Sequence, residues 1–307
     1  MNLQNEMTDR VTYIEEVIKK YLPAEEGLQK SVIQAMNYSL LAGGKRLRPM
    51  LMQESYRMFG GENIYRDSER GKLVEPFMAA MEMIHTYSLV HDDLPAMDND
   101  EYRRGRKTTH VVYGEAMAIL AGDGLLNFAF ETACKAFREA KNPEEYARVG
   151  RAMEILAGKA GVYGMLGGQV ADVEAEEKDT VSSDTLLFIH ENKTAAMIES
   201  CLMIGAVLAG AEEDEVRLLE KAGSNIGVAF QIQDDILDIT STLEVLGKPI
   251  GSDEKNHKQT YVSIHGMEQS KADVKRLSEE AITILASFQR RNEYLEQLVE
   301  QLISRKK

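Results

Sequence analysis

Residue types that mark several common protein classes are scarce in this chain of 307 residues. Only two cysteines are present, Cys134 and Cys201; both lie in apolar helical patterns, which predicts buried, reduced thiols and argues against a disulfide framework. The 36 basic residues are outnumbered by 50 acidic ones, and the formal charge of −14 argues against a nucleic-acid partner. An anionic ligand would therefore have to be bound by local cations or by metal.

Long hydrophobic runs are also missing. The longest apolar stretch, residues 201–211, is shorter than the roughly 20 residues that a membrane-spanning helix needs, so we expect no stable membrane anchoring. The stretch Met1–Glu6 lacks the basic and apolar blocks of a signal peptide. These features predict a cytoplasmic protein.

Proline is rare, and most of the six prolines separate long stretches of helical periodicity. No region shows sustained apolar and polar alternation bounded by hairpin turns, so strands have little support. The pattern predicts helices at residues 9–22, 28–42, 47–59, 72–94, 112–140, 144–175, 183–209, 213–241, 268–288 and 291–304. Because no linker or change of composition divides the chain, we expect one all-α domain over residues 1–307, a bundle of about ten helices.

Two acidic clusters are the strongest functional signal. The first acidic cluster contains Asp92, Asp93 and Asp98. The second acidic cluster, further along the chain, contains Asp234, Asp235 and Asp238. Carboxylates packed this closely raise one another's pKa unless a cation neutralises them. Donor sets made only of oxygen suit Mg²⁺, which usually bridges to a substrate phosphate. A solvated acidic helix face and a charged loop without a role are the alternative interpretations.

The downstream cluster is predicted to lie on one helix. At about 100° per residue, Asp234 and Asp238 share a face and Asp235 is adjacent. Gly223 and Gly227 lie along nearly the same side, so we expect a groove of small residues that ends at the carboxylates.

The first cluster is predicted to cross the end of a helix. Pro95 disfavours helical geometry at Leu94, so the helix should end there and Asp98 can fold back towards Asp92. An EF-hand is excluded, because the acidic loop has neither the glycine nor the glutamate that this calcium motif requires.

Basic residues accompany the clusters at two places. Residues 43–49, Gly-Gly-Lys-Arg-Leu-Arg-Pro, contain three cations within four positions, which favours an anion site over a glycine helix cap followed by solvated basic residues. Arg103 and Arg104 follow the first acidic cluster, and guanidinium groups donate paired hydrogen bonds to diphosphate oxygens. The sequence therefore predicts a site for Mg²⁺ and a diphosphate ester.

Other polar residues carry weaker signals when taken singly. The candidates in helices and loops are Lys193, Thr194, Gln169, Asp172, Lys248 and Lys258. His110 and His190 are interpreted as structural or surface residues, since neither has a plausible metal partner in the sequence. No Ser/His/Asp or Cys/His arrangement indicates a protein nucleophile.

As a set, these motifs resemble those of the trans-isoprenyl diphosphate synthases, most closely the bacterial farnesyl diphosphate synthases. The resemblance runs from about residue 40 to 261 and rests on GGKRLRP at 43–49, HxYSLxHDDLPAMD at 85–98, RRG at 103–105, GxAFQIQDDILD at 227–238 and LGK at 246–248. It implies an all-α bundle around a deep central cavity, usually in a homodimer. It also implies head-to-tail condensation of isopentenyl diphosphate with dimethylallyl and then geranyl diphosphate, which gives farnesyl diphosphate.

The resemblance further implies a role for each matched residue. The six aspartates look like ligands of about three Mg²⁺ ions that hold the allylic diphosphate, with Mn²⁺ as a possible substitute. Residues similar to those that bind the same diphosphate are Arg103, Lys193, Gln231 and Lys248. Residues similar to the isopentenyl diphosphate site are Lys45, Arg48, His85 and Arg104. Thr194 and Gln231 are similar to residues placed near the developing carbocation, and Lys258 is similar to a lysine of the closing loop. Gln169 and Asp172 are similar to a pair that lines the allylic pocket.

Product length is expected to depend on two residues before the first aspartate. By resemblance, Tyr87 and Ser88 form the floor of the cavity, and an aromatic beside a small residue implies a fifteen-carbon limit. Asn99, Ser252 and His257 depart from the family's usual residues, which affects expectations for loop closure but not for the reaction class.

Several alternatives stay open at this point. A geranylgeranyl diphosphate synthase would differ in product length, and a terpene cyclase would share the first aspartate motif but not the second. A metal-dependent phosphohydrolase would match His91-Asp92 but needs further histidines. A non-catalytic subunit of a heteromeric synthase would usually lack one of the two aspartate motifs.

Overall fold

The computed structural model describes residues 3–60, 71–176, 178, 180–240 and 259–303. Helices account for most of them, which confirms the predicted all-α fold. The chain divides into two compact units: unit 1 consists of Met1–Gln53 and Gly61–Met153, and unit 2 of Glu54–Gly60 and Glu154–Lys307. The single domain over residues 1–307 stays a prediction.

Unit 1 contains eight helices and part helices, and one small hairpin, among its described residues. They are α1 (Leu3–Lys20), α2 (Lys30–Leu40), the first half of α3 (Leu47–Gly60), α4 (Glu75–Asp92), β1 (Tyr102–Arg103), β2 (Arg106–Lys107), α5 (Thr109–Tyr113), α6 (Glu115–Ala133), α7 (Ala136–Glu139) and the start of α8 (Pro143–Ala160).

Helix α4 forms the centre of unit 1. It packs against α6 and also contacts α1 and α2. Its sequence is apolar on every side, and Phe77, Met78 and Met81 are completely buried, as expected of a helix enclosed by others. Gly122 of α6 lies against the ring of His91, where a Cβ atom would overlap the imidazole. The first acidic cluster therefore follows directly from a rigid, enclosed helix.

The hairpin is a difference from the sequence-based expectation, which placed no strand between the predicted helices 72–94 and 112–140. Strands β1 and β2 are antiparallel, and Arg103 is paired with Arg106. The two residues between them, Arg104 and Gly105, have φ angles of 53° and 73°. Positive φ at both central positions is the geometry of a tight two-residue hairpin turn. Each strand has only two residues, which is too short for an alternating pattern to predict it.

Unit 2 contains the second half of α3, the end of α8 and the helices that follow. These are α9 (Met165–Glu176), α10 (Ser183–Ile189), a π-helical segment (His190–Ala195), α11 (Ala196–Ala209), α12 (Glu213–Thr240), α13 (Tyr261–His265), α14 (Met267–Ser287) and α15 (Glu293–Ile303). Helix α12 packs against both α11 and α14. Among the described helices, none has the length and apolar character required to cross a membrane.

Two predicted helices are wrong because turns interrupt them, and one turn in each contains a glycine. The predicted helix 112–140 is divided near Gly114, whose φ of 86° is left-handed, and again after α6. The predicted helix 144–175 is divided into α8 and α9 by a turn at 161–164, where a Cβ on Gly164 would overlap the backbone of α8. The turn after α6 also leaves Cys134 exposed, contrary to prediction, whereas Cys201 is buried.

Candidate active site

The basic motif, residues 43–49, begins in a loop between α2 and α3 whose backbone has several positive φ angles. Gly43, Gly44 and Arg46 have φ angles of 77°, 137° and 50°. The φ of 137° at Gly44 favours glycine, and a Cβ there would also meet the flexible end of Arg104, 2.8 Å from Nη1. Arg104 in turn donates a hydrogen bond from Nη1 to the carbonyl of Gly43. The side chain of Arg104 thus links the hairpin turn to the loop.

A cavity of about 540 Å³ in unit 1, the cationic cavity, lies beside this loop. Its lining includes all four residues predicted for isopentenyl diphosphate: Lys45, Arg48, His85 and Arg104. They come from the loop, α3, α4 and the hairpin turn, four separate elements. Three fixed cations at one cavity make it suitable for a diphosphate.

His85 is the one titratable neutral residue among the four. Burial and then the nearby Arg48 and Arg104 charges hold the pKa of its imidazole well below the ordinary value. Its Nε2 atom lies 3.5 Å from Nη1 of Arg48. His85 is therefore a neutral hydrogen-bonding group rather than a fourth cation.

Arg46, the remaining cation of the basic motif, also lines the cavity, but its guanidinium is enclosed by the protein. Arg46 is buried, and its guanidinium donates to Glu15, Glu82 and the carbonyl of Leu40. The anion site predicted for residues 43–49 is therefore expected to use Lys45 and Arg48, because each guanidinium nitrogen of Arg46 already has a partner inside the protein.

The first acidic cluster has the predicted turn. Helix α4 ends at Asp92, and the amide of Asp98 donates to the carbonyl of Asp92 over 2.9 Å, which closes the loop around Pro95. Asp93 is buried and accepts a hydrogen bond from Nε of Arg103 at 2.6 Å. Burial raises the pKa of Asp93 to about 6, although Arg103 opposes the shift.

In unit 2, the π-helical segment presents two of the predicted catalytic residues, Lys193 and Thr194. Glycines let the neighbouring helices approach it closely: a Cβ on Gly168 of α9 would overlap the backbone of Lys193, and one on Gly227 of α12 would overlap Ala195. The face of α12 with Gly227 is therefore filled by this segment, and the predicted groove of small residues is not open there. Single π turns are frequent at functional sites.

A cavity of about 150 Å³, the π-segment cavity, lies at this segment. Five predicted site residues line it: Asp172, Lys193, Thr194, Gln231 and Asp235. Lys193 Nζ donates to Asp172 Oδ2 at 2.6 Å, and Thr194 Oγ1 donates to Gln231 Oε1 at 3.0 Å. Gln169 is partly buried one turn before Asp172 on α9.

The second acidic cluster lies on α12, as predicted, with Asp235 and Asp238 buried and Asp234 partly exposed. Asp235 Oδ2 accepts a hydrogen bond from the amide of Tyr261 at 2.7 Å, which links the cluster to α13. Asp235 therefore has a defined orientation towards the start of α13.

His190 was not predicted as a site residue, yet it lines the π-segment cavity and is 3% exposed. Its Nε2 atom lies 3.8 Å from Asp235 Oδ2, and its ring stacks on Tyr261 with centroids 6.1 Å apart. Its position three residues before Lys193 is the only sequence signal for this placement.

We expect His190 to weaken the folded protein in acid. Burial lowers the pKa of its imidazole to about 4, whereas the unfolded chain has the ordinary value of about 6.5. Below pH 6.5 the imidazole takes up a proton in the unfolded chain but stays neutral in the folded chain. The free energy of unfolding therefore falls as the pH drops towards 4. At pH 4.5 the loss due to this residue is about 2–3 kcal/mol.

Urea unfolding of the wild type and of His190→Gln at pH 7 and pH 4.5 measures that contribution. The variant should lose less stability between the two pH values than the wild type does. His110→Gln, which changes a histidine near the surface of unit 1, is the matched control and should behave like the wild type. Equal acid sensitivity of His190→Gln and the wild type would contradict the assignment.

The donor chemistry of the two clusters fits Mg²⁺, because each cluster offers carboxylate oxygens alone. As placed in the described part of the chain, no three side chains of His, Cys, Asp or Glu form a ready metal-binding group. Metal binding by the six aspartates stays a prediction. Lys248, Lys258, Ser252 and His257 lie outside the described residues.

Comparison with known proteins identifies the family. The sequence profile named polyprenyl synthetase matches residues 29–302. The chain belongs to the polyprenyl synthetase family. It is 43% identical to a farnesyl diphosphate synthase of Geobacillus stearothermophilus, over 86% of this chain and 84% of that protein. It is also 43% identical to a geranylgeranyl diphosphate synthase of Cyanophora paradoxa, over 91% of this chain and 89% of that one.

A solved structure agrees with this assignment. The fold is similar to that of a geranyltransferase from Helicobacter pylori, solved in complex with magnesium and isoprenyl diphosphate. The TM-score is 0.82 at 29% identity, and the match covers 99% of this chain and 97% of that one. The predicted resemblance is thus confirmed, and this polyprenyl synthetase is a trans-prenyltransferase of isoprenoid biosynthesis. The relatives include both farnesyl and geranylgeranyl diphosphate synthases, so similarity alone does not decide product length.

In this polyprenyl synthetase, the predicted floor residues lie on the last two turns of α4. Tyr87 is buried and packs edge-on against the ring of His91, with centroids 5.8 Å apart. Ser88 is partly buried, and its hydroxyl donates to the carbonyl of His85 at 2.9 Å. Both side chains lie within five positions of Asp92, so their size can change the space next to the first acidic cluster.

Proposed function

We propose that this polyprenyl synthetase condenses isopentenyl diphosphate with dimethylallyl and then geranyl diphosphate, and that farnesyl diphosphate is its main product. The observation that carries the proposal is the cationic cavity, where Lys45, Arg48 and Arg104 meet a neutral His85. A diphosphate gains charge-assisted hydrogen bonds from the three cations there. The neutral imidazole can donate one further hydrogen bond without adding a fourth positive charge.

The first chemical step is ionisation of the allylic carbon–oxygen bond, which requires that the leaving diphosphate be stabilised electrostatically. Arg103 and Lys193 supply positive charge for this group, and in the structure each is paired with an aspartate, Asp93 and Asp172 respectively. The aspartates hold the cations in place until the substrate arrives. When bound, Mg²⁺ supplies further positive charge on the leaving group.

Carbon–carbon bond formation then needs an environment that stabilises a carbocation without attacking it. The hydroxyl of Thr194 and the amide oxygen of Gln231 are hydrogen-bonded to each other and present dipoles but no strong nucleophile. Exclusion of water protects the cation from hydrolysis. The departing diphosphate accepts the proton that isopentenyl diphosphate loses, so no protein base is required.

We expect both aspartate clusters, one in each unit, to supply oxygen ligands for Mg²⁺: Asp92, Asp93, Asp98, Asp234, Asp235 and Asp238. The Helicobacter pylori relative was solved with magnesium and an isoprenyl diphosphate, which supports this assignment. We also expect Lys248 and Lys258 to contact diphosphate, and we expect the protein to act in the cytoplasm.

A homodimer is part of the proposal. Helix α9 exposes an apolar stripe of Leu166, Val170 and Val173, which are 43%, 52% and 38% accessible and recur at helical spacing. Contiguous exposed apolar residues mark interaction surfaces in soluble proteins. Sedimentation equilibrium should give twice the monomer mass, and Val170→Glu should reduce it.

The direct test is incubation of the purified protein with Mg²⁺, labelled isopentenyl diphosphate and dimethylallyl diphosphate, followed by chromatography of the dephosphorylated products. The proposal expects a fifteen-carbon alcohol as the main product. A twenty-carbon product would favour the second candidate, a geranylgeranyl diphosphate synthase, which the Cyanophora paradoxa relative supports. Absence of any prenyl product would refute prenyl transfer by this protein alone.

Product length should respond to the size of the side chains before Asp92. Tyr87→Ala removes a buried ring next to His91 and should shift products towards twenty carbons, because the freed volume admits a longer chain. Ser88→Phe should shift them towards ten carbons. Chain-length analysis of both variants measures the effect.

Tyr294→Ala is the matched control, since it removes a buried aromatic ring from α15 in unit 2. It should leave the product distribution unchanged. If Tyr87→Ala and Ser88→Phe both give the wild-type distribution, these residues do not limit the chain length.

A further inference from the structure

Arg46 is a cation of the basic motif that the reaction scheme leaves without a part. Its side chain is 0% exposed. Nε donates to Glu15 Oε1 at 2.7 Å, Nη1 to Glu82 Oε1 at 2.6 Å, and Nη2 to the carbonyl of Leu40 at 2.9 Å. Every nitrogen of the guanidinium thus has a partner within unit 1, and the side chain is shielded from the solvent through which a diphosphate would arrive.

The carboxylate that Arg46 holds most closely belongs to the wall of the cationic cavity. Glu82 lies one turn before His85 on α4, lines the same cavity and has a side chain that is 3% exposed. A buried carboxylate at that place would repel a diphosphate strongly unless a cation neutralised it, because screening by water is weak inside the protein. Arg46 meets this carboxylate with one charge-assisted hydrogen bond, from Nη1 to Oε1, and brings a full positive charge beside it.

The backbone of Arg46 adds a second constraint. Its φ of 50° is unusual for a residue other than glycine, and it lies directly after Lys45, at the end of the loop and before α3. A conformation of this kind persists only where surrounding contacts hold it. The three hydrogen bonds of the Arg46 side chain supply such contacts, so the same residue fixes the junction between the loop, which carries Lys45, and α3, which carries Arg48.

We propose that Arg46 is a positioning residue for the isopentenyl diphosphate subsite, which it serves by neutralising Glu82 and not by binding the substrate. The inference rests on the proposed function of the cationic cavity. The buried Arg46–Glu82 pair would then affect binding of isopentenyl diphosphate more than binding of the allylic substrate. With the pair intact the cavity attracts a diphosphate. When a neutral residue replaces Arg46, the carboxylate of Glu82 repels the diphosphate.

The test compares three variants by steady-state kinetics with both substrates varied. Arg46→Gln should raise KM for isopentenyl diphosphate roughly 10–100-fold, as expected for a charge a few ångströms from the ligand, with KM for the allylic substrate and kcat changed less than about threefold. Glu82→Gln should have a small effect, because Arg46 keeps Glu15 and Leu40 as partners. Arg46→Gln combined with Glu82→Gln should recover most of the affinity that Arg46→Gln loses.

The double variant separates the possible roles. If Arg46 bound the diphosphate directly, or served the loop geometry alone, neutralising Glu82 as well would recover nothing, and that result would overturn the proposal. Parallel increases of both KM values in Arg46→Gln would also overturn it. Removing one partner of a buried pair often destabilises a protein, whereas neutralising both does so less. If Arg46→Gln fails to fold, the double variant decides alone, because the proposal still requires its KM for isopentenyl diphosphate to lie within about tenfold of the wild type.

Two further measurements complete the design. Arg291→Gln removes an exposed ion pair with Glu296 on α15 and should leave both KM values at the wild-type level. Calorimetric titration of isopentenyl diphosphate into each variant reports binding without turnover. A wild-type protein that forms no prenyl product would refute the proposed function, whereas an active wild type whose variants show no selective loss would refute only the role of Arg46.

Discussion

Replacing Asp235 by asparagine is expected to lower prenyl transfer about 10²–10³-fold, the size of effect seen when one electrostatic group is removed from a catalytic site. Asp235 is buried on α12, lines the π-segment cavity and is oriented by the amide of Tyr261. Asparagine keeps the shape of the side chain but removes the charge that a metal ion requires. The loss should appear in kcat measured at saturating substrate.

Asp273→Asn is the matched control for this variant. Asp273 on α14 accepts a hydrogen bond from the hydroxyl of Tyr261 at 3.1 Å, so both substitutions weaken the attachment of the same tyrosine. Only Asp235 belongs to the second acidic cluster. If the two variants lose activity equally, the effect comes from Tyr261 and α13, and Asp235 has no separate role with the diphosphate.

Removing divalent metal should abolish turnover, with a loss larger than about 10³-fold, since without Mg²⁺ the leaving diphosphate and six aspartates repel each other. Product formation is measured in excess chelator and again after Mg²⁺ is added back. Activity should return with Mg²⁺ and, to a smaller extent, with Mn²⁺.

A binding measurement distinguishes loss of metal from loss of structure. Circular dichroism of the chelated protein should keep its helical signal, because the described helices are held together by a buried apolar core. Affinity for the allylic diphosphate should fall, whereas affinity for isopentenyl diphosphate at the cationic cavity should change little. Full turnover in the presence of chelator would remove the metal from the proposal.

The helices with strong periodicity could be predicted from the sequence. Where a predicted helix was wrong, the cause is local. Helix α12 is found at Glu213–Thr240, against a prediction of 213–241, because its apolar stripe is unbroken. The prediction for 144–175 missed the turn at 161–164, since glycines inside a helical pattern are often tolerated and Gly161 and Gly164 were treated in that way. Only the overlap that a side chain on Gly164 would make with the backbone of Lys159 shows that the turn after α8 needs this glycine.

The part of the candidate site that could be predicted consists of residues that belong to a recognisable sequence motif. Asp98 folds back to Asp92 as Pro95 predicts, and Lys45 and Arg48 meet His85 at one cavity. The sequence could not distinguish Arg46 from its neighbours, because the three cations have equal charge and only tertiary contacts show that one of them is buried.

His190 illustrates the opposite failure. One histidine in a helical pattern has no signal that separates a core position from a cavity wall, and its proximity to Asp235 depends on a contact between residues 45 positions apart. Long-range packing of this kind is not encoded in local periodicity.

The π-helical segment makes chain length itself a constraint at this position. A π turn contains about one residue more than an α turn, so deleting one residue from 190–195 would let the segment close into regular α-helix. The backbone that now packs against Gly168 and Gly227 would then move, and the contact of Thr194 with Gln231 would be lost. We therefore expect homologous sequences to align without gaps here, and single-codon deletions to be tolerated far less well than substitutions of the exposed Glu191.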